Sequence, residues 1–68
     1  MKIYVWFDAI EIEKFVERYH IPMKIWEKVE HKSILDDNVE WKAILKIPDT
    51  LYDAAHEAFG TGMYGVRL

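Results

Sequence analysis

The 68-residue sequence predicts an α+β domain in which a four-stranded antiparallel sheet carries two helices on one face. Three observations predict it. Runs near both ends and across the middle alternate with period two, as half-buried strands do. Two further segments place apolar residues at i, i+3, i+4 and i+7, as amphipathic helices do. Pro22, Pro48 and Gly60 fall where each pattern gives way to the next.

Taken in order, Lys2-Ile3-Tyr4-Val5-Trp6-Phe7 is the first strand, with Ile3, Val5 and Phe7 on one side and Lys2, Tyr4 and Trp6 on the other. Asp8 ends it and can cap the backbone N–H groups of a helix over Ala9 to His20, with Glu11 placed as in a capping box. Ile12, Phe15, Val16 and Tyr19 form that helix's apolar stripe, and Pro22 closes it. Met23 to Ile34 and Val39 to Ile47 read as a β-hairpin. A loop at residues 35–37 would set Lys32 opposite Glu40 and Glu30 opposite Lys42. A second helix holds Leu51, Tyr52, Ala54, Ala55, Ala58 and Phe59 and stops at Gly60, and Met63 to Leu68 makes a short last strand.

The order β-α-β-β-α-β is the ferredoxin-like plan, and the whole chain, 1–68, makes one such domain. Its helices are expected to cover Ile3, Val5, Phe7, Met23, Ile25, Val29, Trp41, Ala43, Leu45 and Ile47. Uninterrupted alternation also puts Glu27 and His31 on that nominally buried side, which suits an edge strand outrunning the helices.

The opposite face should then present Lys2, Tyr4, Trp6, Lys24, Trp26, Lys28, Glu30, Lys32, Glu40, Lys42, Ile44, Lys46 and Arg67, seven cations against two anions. Asp8, Glu11, Glu13, Glu17, Asp49, Asp53 and Glu57 make the helical side acidic. The molecule is therefore expected to be polarised, although its formal net charge is only -3. Aromatic residues rimmed by lysines on an open face fit a protein interface, because aromatic anchors inside a polar rim dominate binding energy. The expectation is a non-enzymatic adaptor or inhibitor, such as a phage or mobile element encodes, with Tyr4, Trp6, Lys24, Trp26, Lys28, Lys42, Ile44 and Lys46 as its protein-binding residues. Its partner would be another protein or a second copy of the chain as a homodimer, and the acidic helical side is an alternative surface for a basic partner.

Single-stranded nucleic acid is the other partner this face could hold, by base stacking on the aromatics and phosphate contacts to the lysines. The fold plan resembles RNA-recognition motifs, but the third strand, Glu40-Trp41-Lys42-Ala43-Ile44, lacks their aromatic pattern. A face of aromatics covered by lysine stems that merely solvates is the plainest alternative.

Chemical motifs are sparse. Gly60-Thr61-Gly62-Met63-Tyr64-Gly65 spells a phosphate-loop string, yet follows a helix and precedes a strand, the reverse of what phosphate binding needs. His20, His31 and His56 lie in different elements without metal-ligand spacing, and the single serine, Ser33, has no base placed beside it by spacing. Neither a catalytic site, a metal site nor a cofactor is expected. Asp8, after Tyr4-Val5-Trp6-Phe7, resembles the strand-terminal acid of ferredoxin-like nucleases of the CRISPR-associated and VapD types. That resemblance implies a metal-dependent nuclease using Asp8, without those families' basic helix and longer C-terminal strand. Small ferredoxin-like metallochaperones share the element order, but their C-x-x-C loop needs cysteines and this chain has none. The lack of cysteine points to a reducing compartment, and no run is long enough for a signal peptide or a membrane span, so a cytoplasmic location is expected.

Overall fold

The computed structural model describes residues 1–32 and 37–67. Strands β1 (Lys2–Asp8), β2 (Met23–Lys32), β3 (Asp37–Lys46) and β4 (Met63–Arg67) and helices α1 (Ala9–Tyr19) and α2 (Tyr52–Phe59) follow in the order β1-α1-β2-β3-α2-β4. The sheet order is β2-β3-β1-β4 and every neighbouring pair is antiparallel, the ferredoxin-like arrangement expected from the sequence. The loop expected at 35–37 falls mostly outside the described residues, as do Ser33, Ile34 and Leu68.

Local chemistry sets the boundaries of α1. Asp8 Oδ1 accepts hydrogen bonds from the Ile10 and Glu11 amides at 2.9 and 3.3 Å, satisfying donors that the first helical turn leaves without partners. At the other end His20 adopts the left-handed conformation at φ 54°, and the amides of His20 and Ile21 both donate to the Val16 carbonyl. Helix α2 is shorter, and the glycine-rich string after it is a cap and a single 3-10 turn over Gly60–Gly62.

Between helices and sheet lie Ile3, Val5, Ile12, Phe15, Leu45, Ala55 and Phe59, all buried. Phe59 sits edge-on to both Phe15 and Phe7, with ring centroids 5.0 and 5.6 Å apart. Phe7, Met23, Ile25 and Trp41 pack partly buried around this centre, in the phase expected of them.

The hairpin departs from the expected register. Met23, Lys24 and Ile25 pair with Leu45, Ile44 and Ala43, but Glu27 then pairs with Lys42, so Trp26 is an extra residue on β2. A β-bulge of this kind shifts the alternation of everything beyond it by one. Lys28 and Glu30 consequently take the helix side, whereas Glu27, Val29 and His31 take the open side, the reverse of the expectation for all five. Lys28 lies opposite Trp41, with its ammonium 5.9 Å from the ring centroid. The expected cross-strand ion pairs change with the register: Glu30 lies opposite Val39 and Glu40 opposite Val29. Lys42 instead pairs with Glu27 at 2.5 Å, and Glu40 meets His31 Nε2 at 2.6 Å.

A second bulge lies in β4. Lys2, Ile3 and Tyr4 pair with Arg67, Val66 and Gly65, but Val5 pairs with Met63, so Tyr64 is the extra residue. The last β1–β3 pair is Asp8 with Glu40, while β2 and β3 continue past it to Lys32 and Asp37, so the hairpin reaches beyond the rest of the sheet. The molecule measures 40 × 20 × 19 Å.

Candidate functional site

The two bulges build the open face. Each inserts an aromatic residue as the extra residue of an edge strand, Trp26 on β2 and Tyr64 on β4. Trp26 leans inward from β2 and Tyr64 from β4, and their rings meet 6.4 Å apart above the central strands. Tyr4, on β1 beneath them, packs edge-on to Trp26 at 6.1 Å and is stacked with Tyr64 at 6.2 Å. Tyr4 can lie this way because its cross-strand neighbour is Gly65, where an added Cβ would sit 2.7 Å from Tyr4 Cδ2.

Trp6, one turn of the pleat further along β1, has the Lys42 ammonium 4.4 Å from its ring centroid. That ammonium also holds Glu27, so a Trp6–Lys42–Glu27 chain crosses from β1 to β2. Trp6, Trp26, Lys42 and Tyr64 line a shallow depression of about 350 Å³. The two tryptophans remain 44% and 45% exposed and Tyr64 53%, so the rings contact one another without being withdrawn from solvent. Partial loss of solvent nevertheless raises the Tyr64 hydroxyl above its ordinary pKa of 10.0; Lys42 opposes this, and Tyr4 and Glu27 reinforce it.

Charge is graded along this face. At the end where β1 begins, Lys46 and Arg67 flank Lys2 directly across the strands, and Lys24 stands one row further in, opposite Ile44. At the other end, Asp8 pairs with Glu40, and His31 reaches the Glu40 carboxylate. The face is thus basic at one end, aromatic in the middle and acidic at the other, where a surface with seven cations against two anions was expected.

Of the residues expected to bind protein, Tyr4, Trp6, Lys24, Trp26, Lys42, Ile44 and Lys46 share this face, and Lys28 does not. Tyr64 belongs to the cluster and escapes a strict period-two reading, although a glycine inside a strand, here Gly65, is a known mark of a bulge. The polar residues Glu27 and His31 on a nominally buried side carry the corresponding signal for the bulge at Trp26.

The helix side offers a larger groove of about 490 Å³, between α1 and α2. Its floor is Phe15, Ala54 and Ala58, and its rim mixes Lys14 and Arg18 with Glu11 and Glu57. The acidic alternative surface is therefore interrupted by cations at this point. Asp8 Oδ1 is engaged at the helix N-terminus, and among the described residues no three His, Asp or Glu side chains converge as metal ligands. No helix among them is long and apolar enough to cross a membrane.

Compared with protein-family models, with curated proteins and with solved structures, the chain matches none of them.

Proposed function

We propose that this protein is a small non-enzymatic binding module, an adaptor or inhibitor, that engages a protein partner through its open sheet face. The observation that carries the reading is the cluster of Tyr4, Trp6, Trp26 and Tyr64, three of which stay 44% or more exposed on one face of the sheet. Exposed aromatics gathered in one patch and rimmed by charge are the composition of an interface core, whereas singly scattered apolar residues need no explanation. Trp6, Trp26 and Tyr64 are the anchors, because large rings lose little conformational freedom on binding. Lys2, Lys24, Lys46 and Arg67 at one end orient the partner and speed encounter more than they hold it.

A second reading rests on one specific feature, the cross-strand row Lys46–Lys2–Arg67 beside the aromatics. Single-stranded nucleic acid would place phosphates on that row and bases on the rings. The acidic residues Glu27 and Glu40 on the same face and the net charge of -3 weigh against it.

Capture from native lysate by the wild-type protein and by a Tyr4→Ala/Trp6→Ala variant, with and without nuclease, separates the two. A protein retained by wild type, lost by the variant and indifferent to nuclease supports the interface reading. Capture that disappears with nuclease, or binding that falls steeply with salt, transfers the face to nucleic acid. Retention by the variant equal to wild type rules the face out.

A further inference from the structure

The gradient of charge has a symmetry of its own. Lys2 and Asp8 lie three residues on either side of Val5 on β1, and Lys46 and Glu40 lie three residues on either side of Ala43 on β3. Val5 and Ala43 are themselves cross-strand partners, so the two pairs share one centre. On β2 the residue opposite Ala43 is Ile25, and there Lys24 and Glu27 fall on opposite sides of the same row. Lys2, Lys46, Lys24, Glu40 and Glu27 stand on the open face, with the three lysines toward the basic end and the two glutamates toward the acidic end, while the Asp8 carboxylate caps α1 at the acidic end and Lys42 is held by Glu27.

We propose that the open face is a two-fold interface that binds a second copy of this chain, sheet against sheet, about an axis crossing the strands above the Val5–Ala43 pair. The proposal rests on the protein-interface reading above and names its partner. Rotation about that axis turns each strand end for end while keeping β1 over β1 and β3 over β3. Lys46 then comes over Glu40 of the second copy, Lys24 over Glu27, and the aromatic rows of the two copies interdigitate between them. Such self-complementarity is what an isologous contact requires. Packed sheets lie about 10 Å apart with strands about 30° from parallel, which displaces groups about 10 Å from the axis by roughly 5 Å, within reach of a lysine stem.

Two features favour this occupant over a polyanion. A polyanion would meet the carboxylates of the acidic end as well as the lysines. In the isolated chain, moreover, Lys46, Lys2 and Arg67 stand side by side as like charges directly across strands, an unfavourable arrangement that the carboxylates of a second copy relieve.

Sedimentation velocity over a concentration series into the hundreds of micromolar, with circular dichroism to check folding, tests this with charge swaps. Wild type is expected to dimerise with rising concentration. Lys46→Glu and Glu40→Lys should each weaken association about tenfold or more, since each sets like charges together twice across the axis. An equimolar mixture of the two single variants, and the double variant alone, should recover association, because the pairs are opposite in sign again. Wild type that stays monomeric throughout, or single variants that associate as wild type does, overturns the two-fold assignment. Neither result touches the broader interface reading, which fails only if the aromatic substitutions leave capture of a partner intact.

Discussion

Lys42 holds two relationships that define the centre of the open face: its ammonium covers the Trp6 ring and pairs with Glu27. Neither contact is worth much alone, since an exposed ion pair contributes about 0–1 kcal/mol and an exposed cation–π contact about 0.5–1 kcal/mol. Their role is to fix where Trp6 stands. Gly65 does the same for Tyr4 by leaving space, and Gly65→Ala would bring a methyl group into the Tyr4 ring. The expected loss is about 1–3 kcal/mol, read as a lower urea midpoint with an unchanged slope; an unchanged midpoint would mean that Tyr4 has room to move. Tyr64 adds a pH dependence. Because its folded pKa is raised, the folded state holds the phenolic proton more tightly than the unfolded chain does. Its contribution to stability is present below 10.0 and is lost as pH rises through the folded value. Urea denaturation at alkaline pH should show this decline in wild type, and Tyr64→Phe should remove that part of it. At this scale the sequence discloses Tyr4, Trp6, Trp26 and Lys42 through simple alternation. It conceals Tyr64, because β4 is short and its phase depends on a single inserted residue.

The elements themselves follow from local signals, and their register does not. Helix α1 begins at an aspartate that caps it and ends three residues before the proline that forbids its continuation. Asp8→Ala should cost about 1 kcal/mol while Asp8→Ser costs less, because a hydroxyl can still accept from the first-turn amides. Equal losses for both would assign the stabilisation to something other than the cap. At the far end His20 pays a conformational cost at φ 54°, and His20→Gly should raise the urea midpoint by about 1 kcal/mol of stability. Strand β2 shows why register is harder to read. Its alternation is regular as written, and opposite charges suggest a pairing of Glu30 with Lys42, but such pairs contribute only a few tenths of a kcal/mol. The bulge at Trp26 exchanges Glu27 and His31 for Lys28 and Glu30 on the helix side, where both stay exposed. In return it sets Glu27 beside Lys42 and His31 beside Glu40, and it brings a tryptophan over Tyr4.

For the whole molecule, the fold divides labour between two faces of one sheet. The helices satisfy one face with Phe15, Phe59 and their neighbours, and among the described residues no buried side-chain polar atom lacks a partner. The other face is left with four aromatic residues, a basic end and an acidic end, and no element among the described residues packs over it. Its overall charge polarity was only partly legible, because the net basic surface that strict alternation implies becomes a gradient once β2 changes phase at Trp26. That gradient, centred on the Val5–Ala43 pair, is the feature on which the proposed two-fold contact rests. The most direct measurement of the claim is a dilution series of ¹H–¹⁵N correlation spectra on the wild-type protein. A two-fold contact through the open face should give concentration-dependent shifts at the Trp6 and Trp26 indole N–H groups and at the amides of Tyr4, Lys42 and Tyr64, with α1 and α2 unchanged. Shifts confined to the helices, or spectra unchanged on dilution with the open face still solvent-exposed, would contradict it.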